Sequence, residues 1–546
     1  MRIFVCQANP IIGDIKGNAE KILEGYKKGI EEKADIVVFP ELFLCGYPPL
    51  DLVEKKEFRQ SVMKTAEQIA SQTTSTGLLF GSITEDYEDL IGTNVYNSAI
   101  LCYDGKIHFV QSKSLIPNYD VFDEVRYFES AKVVEVHKFK NEIIGISICE
   151  DIWNDADYWK HRRYPIDPIQ KQVDDGATVL INISASPYSY GKRKERFEML
   201  STLVINDKLP LAYVCCVGAQ TELIFDGASM CLNKKGELCL IGKPFEEDYF
   251  IFDTEKKYNK TLQIESSFEK EVLDSLILGV KDYSKKNGFK KALVGLSGGI
   301  DSAIVTYIAV HALGKDNVHV VMMPSKYSSE GSIKDSKKLI ANLGIKSNNI
   351  SIQPVFDKIL EMLKDSFDGK PEDITEENIQ PRIRGLYLMA LSNKHGYLLC
   401  STGNKSEIAT GYATLYGDMC GALAVIGDVY KTQIYSLANY INRDSEIIPY
   451  EIVNKVPSAE LKPNQTDQDS LPPYDLLDKI LKLYLEEQME LSGIISIIKE
   501  PEAVKKVLKI VDLNEFKRKQ SAPVLRVSKK AFGYGRRFPI VQKWRN

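Results

Sequence analysis

Residues 290–310, KKALVGLSGGIDSAIVTYIAV, place a short glycine-rich loop between two apolar runs. The first run, at 291–296, has the length of a buried strand, and the Asp-Ser pair at 301–302 opens a pattern typical of a helix. Further apolar segments follow at 318–324, 350–355 and 396–402. Alternation of strand and helix predicts a doubly wound parallel sheet with its site at the carboxyl ends of the strands.

The loop GLSGGIDS, at 295–302, is suited to hold phosphate. Its glycines allow successive backbone N–H groups to point into one concavity, and Ser297 and Ser302 add hydroxyl donors. The lysine with which the Walker loop grips phosphates is missing, and Asp301 stands there instead. A carboxylate repels phosphate unless Mg²⁺ lies between them. The alternative is a plain strand-to-helix turn, but the flanking strand and helix favour a phosphate site with magnesium.

The first half of the chain alternates short apolar segments with polar segments that favour helices. Asp104-Gly105 lies between two apolar runs, which predicts a β-hairpin and some antiparallel pairing. Strands mixed with covering helices indicate a layered α/β domain. The predicted strands are 2–8, 34–41, 77–83, 97–103, 143–149, 177–184 and 212–218. The predicted helices are 17–32, 54–71, 166–175 and 192–207.

The length of the chain requires more than one domain. At 546 residues it is too long for one ordinary hydrophobic core. The alternating pattern stops after residue 254, the next residues are polar, and a helix closed by Gly288 follows. We therefore predict domains at 1–254 and 269–546, joined by a linker at 255–268.

Charge and composition exclude several kinds of partner. A net charge of −5 gives no attraction to nucleic acid or to an anionic membrane. No apolar run reaches membrane-spanning length, and the first residues are typical of a strand rather than a signal peptide. The ten cysteines include no Cys-x-x-Cys pair and have no histidine at ligand spacing. This indicates reduced thiols in the cytoplasm rather than zinc or disulfides.

The glycine loop also carries a family resemblance. SGGIDSA resembles the pyrophosphate loop of the N-type ATP pyrophosphatases, which split ATP to AMP and pyrophosphate while activating a carboxylate or carbonyl. Several enzymes share that loop, but further segments resemble the synthetase domain of the NAD synthetases, which amidates nicotinic acid adenine dinucleotide. These segments are 323–336, 375–393, 401–419, 427–435 and 455–478, so that the match covers 290–480 almost continuously.

This resemblance implies roles for individual residues. Asp301 and Glu407 would carry Mg²⁺, and the family's synthetase domains pair, which implies a homo-oligomer built on a synthetase-domain dimer. Leu415 and Ala422 depart from the ammonia-only relatives, which tend to carry Lys and Asp there. The residues implied for the dinucleotide (deamido-NAD) are Asn378, Arg382, Glu407 and Lys517. The residues implied for ATP are Gly295, Leu296, Ser297, Gly298, Gly299, Ile300, Asp301, Ser302, Thr402 and Lys431.

The N-terminal half contains a candidate set for releasing ammonia from an amide. Glu41, Lys113 and Cys149 each end or follow an apolar strand, where catalytic groups borne on loops tend to cluster. A thiolate can attack an amide carbonyl, a carboxylate can take the thiol proton, and a cation can stabilise the oxyanion. Taken singly, Glu41 could cap a turn, Lys113 could lie at the surface and Cys149 could fill a core. No histidine lies near them, which argues against a Cys-His pair.

Together, in this order, the three resemble the Glu-Lys-Cys triad of the nitrilase superfamily, whose fold is an α-β-β-α sandwich. The segments 182–196 and 218–229 extend the match over about residues 1–250. The resemblance implies that Glu41 is the base. The segment 149–168 is extended relative to the commoner spacing, which suggests an altered lid or partner contact. The residues implied for glutamine are Tyr119, Ser186 and Lys192.

The two halves together resemble the glutamine-dependent NAD synthetases. That implies a ligase which uses deamido-NAD, ATP and L-glutamine, passes through an adenylated intermediate, and releases AMP, pyrophosphate and glutamate. Alternatives are GMP synthetase, which needs a Cys-His-Glu glutaminase, and asparagine synthetase, which needs a cysteine where this chain has Arg2. A third alternative is a nucleotide-binding sensor with an inactive amidase half. The presence of all the candidate catalytic and metal-binding residues argues against it.

Overall fold

The computed structural model describes residues 1–86, 91–258, 261–265 and 267–544. The chain divides into two units, Met1–Ser266 and Ser267–Asn546. The predicted linker at 255–268 spans this division, and its residues 259, 260 and 266 lie outside the described residues. Its assignment as a linker stays a prediction.

The N-terminal unit is built on two mixed sheets of six strands each. Its strands are β1 (Arg2–Gln7), β2 (Ile36–Val38), β3 (Gly77–Glu85), β4 (Val95–Tyr103), β5 (Lys106–Ser112), β6 (Val136–Phe139), β7 (Glu142–Ile148), β8 (Val179–Ser184), β9 (Leu211–Cys215), β10 (Val217–Gln220), β11 (Leu223–Asp226), β12 (Met230–Leu232), β13 (Leu238–Ile241) and β14 (Asp248–Asp253). Its helices are α1 (Ile15–Glu31), α2 (Lys56–Ala70), α3 (Pro168–Asp174) and α4 (Lys192–Asp207). The first sheet has the order β14-β1-β2-β3-β4-β5 and the second β13-β12-β9-β8-β7-β6, while β10 and β11 form a separate hairpin.

Side chains that alternate along the strands define the layers of this unit. Ile3 of β1 and Ile181 of β8 lie in one core that both sheets share. Phe4, the next residue of β1, packs in a second core with residues of α1 and α2. Leu180 packs in a third core with Leu203 of α4 and a residue of α3. The order is therefore helix, sheet, sheet, helix, which confirms the predicted α-β-β-α sandwich.

The hairpin predicted from Asp104-Gly105 is confirmed, and one predicted strand is wrong. β4 and β5 pair antiparallel on either side of Asp104 and Gly105, whose φ angles are 48° and 75°. Positive φ at both positions is what a type I′ turn requires, and Asp-Gly supplies it. The run predicted as a strand at 212–218 is divided between β9, in the second sheet, and β10, in the hairpin. Hydrophobicity alone does not mark where a strand leaves a sheet.

The C-terminal unit contains a five-stranded parallel sheet, as predicted. Its strands are β15 (Ala292–Gly295), β16 (Val318–Met322), β17 (Lys346–Asn349), β18 (Leu398–Ser401) and β19 (Leu423–Ala424). Its helices are α5 (Phe268–Lys286), α6 (Ile300–Leu313), α7 (Glu330–Leu343), α8 (Gln353–Leu363), α9 (Ile374–His395), α10 (Lys405–Thr410), α11 (Lys431–Ile441), α12 (Tyr450–Asn454), α13 (Tyr474–Leu485), α14 (Leu491–Ile498), α15 (Pro501–Leu513) and α16 (Glu515–Arg518). The strand order is β17-β16-β15-β18-β19.

Helices cover this sheet so that its apolar strands are buried. Leu293 of β15 and Leu399 of β18 share a core with residues of α8 and α9. The helices α5, α6 and α11 contact one another, and α6 contacts β15 and β16. Among the described residues, none of the helices combines the length and the apolar character needed to cross a membrane.

The apolar segment at 350–355, which the sequence pattern groups with the strands, is not a strand. β17 lies just before it, on the polar and exposed residues 346–349, and α8 begins at Gln353. Ile352 and Phe356 instead bury their side chains in the core beneath α8 and α9. β17 is an edge strand, and such a strand needs no apolar face, so composition did not reveal it.

Candidate active sites

The structure brings Glu41, Lys113 and Cys149 together inside the N-terminal unit, with a fourth residue, Glu124. Glu41 follows β2, Lys113 follows β5 and Cys149 follows β7, at one end of the two sheets. Lys113 Nζ donates to Glu41 Oε1 at 2.8 Å and to Glu124 Oε1 at 2.8 Å. The exposed fraction of each of the four residues is at most 5%. Two buried carboxylates therefore share one ammonium group.

Glu124 is a functional candidate that the sequence did not single out. It lies eleven positions after Lys113, but a lone glutamate in a loop carries no signal of its own. Burial raises the pKa of Glu124, and the ammonium of Lys113 opposes that shift. Burial disfavours the charged form of Lys113, yet the carboxylates of Glu124 and Glu41 outweigh it and raise the pKa of Lys113 well above its ordinary value. Lys113 is thus held as a cation at neutral pH.

Cys149 lies at a sharp turn of the backbone. Its φ is 44°, in the left-handed region that non-glycine residues rarely adopt. The buried carboxylate of Asp151 supports the turn, because it accepts the N–H of Ile148 at 3.0 Å and the N–H groups of Ser114 and Leu115 at 2.9 and 2.8 Å. Asp151 therefore ties the strand end that carries Lys113 to the one that carries Cys149.

The thiol of Cys149 is uncharged at rest. Burial raises its pKa well above the ordinary value, Glu41 raises it further, and Lys113 lowers it. A neutral thiol is a weak nucleophile, so attack on an amide needs a base to take the proton. Glu41 is close enough for its charge to act on this thiol, and its carboxylate is the candidate base.

The residues predicted to bind glutamine lie around this cluster. The Tyr119 hydroxyl donates to Glu150 Oε1 at 2.8 Å, and the Tyr164 hydroxyl donates to the same oxygen at 3.1 Å. Glu150 directly follows Cys149 and was also missed from the sequence. Ser186 is buried beside Ala185, whose backbone N–H donates to Glu41 Oε2 at 2.7 Å.

Lys192 and the extended segment 149–168 complete the surroundings of Cys149. Lys192 begins α4, and its Nζ donates to the Pro187 carbonyl at 3.2 Å and lies 5.5 Å from the centre of the Trp153 ring. The guanidinium of Arg163, also in the extended segment, lies 3.6 Å from the centre of the Tyr119 ring. Carboxylate, hydroxyl and cationic groups are therefore gathered around the segment that carries Cys149, and such groups are able to bind an amino acid.

The glycine loop of the C-terminal unit is held by its own hydroxyl groups. Ser302 Oγ donates to the Gly299 carbonyl at 3.0 Å, and Gly299 N–H donates to Ser297 Oγ at 3.2 Å. Gly298 has φ +82°, and a Cβ there would lie 2.5 Å from the backbone oxygen of Ser332. Only glycine fits that position, and α6 begins at Ile300, so that the last residues of the loop form the positive end of this helix.

Asp301 and Glu407 are suited to hold Mg²⁺. Mg²⁺ prefers oxygen ligands and commonly takes one or two carboxylates together with phosphates and waters. Lys431 Nζ bonds the Asp301 carboxylate and lies 3.7 Å from Glu407 Oε1. Burial, and then the charge of Asp301, raise the pKa of Glu407 to about 8 although Lys431 opposes this. Burial is the larger cause of this shift, and an added cation would favour the ionised form of Glu407.

A cavity of about 300 Å³ opens beside this loop. Asp301, Thr402, Glu407 and Lys431 line it, as do the other predicted ATP residues except Gly298. Its wall also includes apolar side chains, which suit a nucleobase, while the loop donors suit phosphate. Among these apolar residues are Met322, Met323, Leu388, Cys400 and Met419.

Three of the residues predicted for the dinucleotide do not line this cavity. They gather instead on the segment 411–415. Asn378 Oδ1 accepts the Thr414 hydroxyl at 2.8 Å, and Arg382 Nε donates to the Leu415 carbonyl at 3.3 Å. Lys517 Nζ donates to the carbonyls of Gly411 and Ala413 at 2.7 and 2.8 Å. The cavity wall includes residues 412 and 413, so this group is bonded to a segment that contributes to that wall.

Comparison with known proteins defines the class to which this chain belongs. The carbon-nitrogen hydrolase family matches residues 2–258, and the NAD synthase family matches residues 272–521. The chain is therefore an amide-hydrolysing domain of the nitrilase superfamily followed by an ATP-dependent NAD synthase domain in one polypeptide.

Relatives with both domains narrow the class further. The chain is 44% identical to the glutamine-dependent NAD(+) synthetase of Synechocystis sp., over 99% of this chain and 98% of the relative. It is 43% identical to that of Thermotoga maritima, over 100% and 99%. A structure of the Acinetobacter baumannii enzyme in complex with ADP matches with TM-score 0.78 and 36% identity over 99% of this chain and 98% of that one. The chain belongs to the family of glutamine-dependent NAD(+) synthetases, which are ligases that form carbon–nitrogen bonds.

Proposed function

We propose that this chain amidates nicotinic acid adenine dinucleotide to NAD, at the expense of ATP, with ammonia released from L-glutamine. The observation that carries the proposal is the presence in one chain of two separate sets of groups. One is the buried cluster of Glu41, Lys113 and Cys149. The other is the phosphate loop with the Asp301 and Glu407 carboxylates at its cavity. We assign glutamine hydrolysis to residues 1–254 and synthesis to residues 269–546.

At the first site, Glu41 takes the proton of the Cys149 thiol, and the sulfur attacks the carboxamide carbon of glutamine. The oxyanion that forms is stabilised by the positive charge of Lys113, whose ammonium contacts Glu41 Oε1 and both carboxylate oxygens of Glu124. Protonated Glu41 returns the proton to the leaving nitrogen, and ammonia departs from a thioester. Glu41 then activates water, which releases glutamate and restores the thiol.

Substrate recognition at this site follows from the charges around Cys149. Glu150 presents a carboxylate held by the hydroxyls of Tyr119 and Tyr164, which suits the α-ammonium group of glutamine. Lys192 supplies a cation for the α-carboxylate, and Ser186 adds a hydroxyl. An amide without these two charged groups would bind less well, which would restrict the site to free glutamine.

At the second site, the nicotinate carboxylate attacks the α-phosphate of ATP. The backbone N–H groups of the glycine loop and Lys431 stabilise the charge that develops on the pyrophosphate as it leaves. Mg²⁺ held by Asp301 and Glu407 would neutralise phosphate charge. Ammonia then attacks the adenylated carboxyl carbon, and AMP leaves. Asn378, Arg382 and Lys517 fix the wall segment against which the dinucleotide binds.

The sequence pattern of the cysteines and the family resemblance also support a cytoplasmic enzyme that forms homo-oligomers through synthetase-domain dimers. GMP synthetase or asparagine synthetase activity would require xanthylate or aspartate as the substrate. A screen with ATP, Mg²⁺ and glutamine should give pyrophosphate with nicotinic acid adenine dinucleotide and none with xanthylate or aspartate. Pyrophosphate formed only with xanthylate or aspartate would refute the proposed substrate.

Two variants separate the two half-reactions. Cys149→Ala should make no NAD from glutamine but should make it from ammonium salt at mildly alkaline pH, at a rate near that of the unaltered chain. Asp301→Asn should make none from either nitrogen source and should still hydrolyse glutamine. Cys231→Ala is the matched control, because Cys231 is a fully buried cysteine in β12, outside both sites. Equal glutamine-driven synthesis by Cys149→Ala would mean that Cys149 is only a core residue.

A further inference from the structure

Asn97 contacts Glu41, Lys113 and Glu124 in the N-terminal site, although no sequence motif marks it. It is fully buried in β4. Its side-chain N–H group donates to Glu41 Oε1 at 2.7 Å and more weakly to Glu124 Oε2 at 3.4 Å. Its backbone carbonyl accepts the N–H of Lys113 at 2.8 Å. Both the main chain and the side chain of this residue therefore hold the cluster.

The other half of the Asn97 amide is unsatisfied. Its Oδ1 is buried and has no hydrogen-bond partner among the residues that the structure describes. A buried acceptor without a partner is unfavourable, and leucine, of similar size, would avoid that cost. Turning the amide over would place the oxygen against the two carboxylates, which would repel it. The amide of Asn97 therefore acts in this site through its N–H group, which donates to the carboxylates.

The donors on Glu41 are distributed unequally between its two oxygens. Oε1 accepts from Asn97 and from Lys113, whereas Oε2 accepts from the backbone N–H of Ala185. An oxygen with two donors has both lone pairs engaged, and one with a single donor can accept another proton. Oε2 is therefore the oxygen of Glu41 left to take a proton.

We propose that Asn97 is a positioning residue for glutamine hydrolysis, which favours the ionised form of Glu41 and turns Oε2 toward the proton of Cys149. This inference rests on the proposed glutaminase function. The other titratable groups that act on Glu41 stay in place when Asn97 is changed. They are Lys113, Glu124, Cys149, Tyr47, Cys45 and Cys216.

Two substitutions test the donor. Asn97→Leu removes it at similar volume, and Asn97→Asp keeps the shape and replaces the donor by an acceptor. In both, the acid limb of the pH profile for glutamine hydrolysis should move up by about one pH unit, equivalent to about tenfold in ionised fraction. The kcat should fall and the KM for glutamine should stay within about twofold, since a uniform binding loss would move KM alone. Asn18→Leu is the control, because the buried Asn18 amide bonds backbone groups, at Ile11 and Leu44.

A second measurement separates this inference from the proposed function. The rate at which iodoacetamide alkylates Cys149 in the full chain, followed by mass spectrometry of its peptide, reports the thiol without any turnover. The pH at which this alkylation rate rises should shift in both Asn97 variants and should be unchanged in Asn18→Leu. An unmoved profile in folded variants overturns the role of Asn97. A moved profile in a chain that never hydrolyses glutamine supports the role of Asn97 and refutes the glutaminase.

Discussion

Replacing Lys113 with methionine leaves two buried carboxylates without their shared ammonium. Lys113 and Glu41 have no exposed side-chain surface, and that of Glu124 is 6% exposed. Breaking a buried ion pair by removing one partner typically costs about 3–5 kcal/mol. A buried carboxylate without its partner can avoid carrying a charge by taking a proton. At pH 7.5 this costs about 4 kcal/mol for a group with an ordinary pKa of about 4.3. We therefore expect Lys113→Met to lose about 3–4 kcal/mol in free energy of unfolding at pH 7.5.

The loss should depend on pH in a stated direction. Burial already raises the pKa of Glu124, and without the opposing charge of Lys113 that pKa stands higher still above its unfolded value. The native variant then binds more protons than the unfolded chain, so its stability falls as pH rises above about 4.3. The difference from the unaltered chain should be largest near neutral pH and should shrink toward pH 5.

Urea unfolding of the full chain at pH 5 and pH 7.5, followed by tryptophan fluorescence, measures this. Trp153 and Trp159 report the N-terminal unit. Lys140→Met is the control, because Lys140 pairs with Asp35 at 2.7 Å on the exposed surface, where such a pair contributes at most about 1 kcal/mol. Adding Glu124→Gln should restore part of the lost stability. A Lys113→Met variant within about 1 kcal/mol of the unaltered chain at pH 7.5, or one without the pH trend, would refute the reasoning.

Three further predictions concern substrate binding. Gly298→Ala should raise the KM for ATP at least tenfold, because its Cβ would meet the Ser332 backbone; Gly288→Ala is the control, with φ +78° but nothing within 4 Å. Glu150→Gln should raise the KM for glutamine by about 10–100-fold, the value of one charged hydrogen bond, and leave ammonia-driven synthesis unchanged; an unchanged KM would remove Glu150 from the glutamine site. Arg382→Met should raise the KM for the dinucleotide but not for ATP, since Arg382 does not line the ATP cavity; parallel changes in both would contradict this separation.

The sequence alone predicted those structural elements that depend on contacts between residues close together in the chain. The Asp-Gly turn between β4 and β5, the glycine loop before α6 and the alternation of side chains along β1 each follow from short-range backbone and packing rules. The same patterns predicted a layered N-terminal unit and a parallel C-terminal sheet. They did not reveal the polar edge strand β17 or the division of 212–218, because strand pairing depends on neighbours distant in the chain.

The sequence by itself determined which residue types stand at the ends of strands, and family resemblance selected Glu41, Lys113 and Cys149 among them. Only the tertiary structure decided which other groups surround these three. Glu124 and Asn97 carry no local pattern, since a lone carboxylate or amide has the same neighbours in a solvated loop or an ordinary strand. Their role depends on contacts across 11 to 77 positions of sequence, such as Lys113 to Glu124 and Tyr47 to Glu124. Burial then converts these contacts into strong electrostatic coupling, because low polarity around the cluster weakens the screening of its charges.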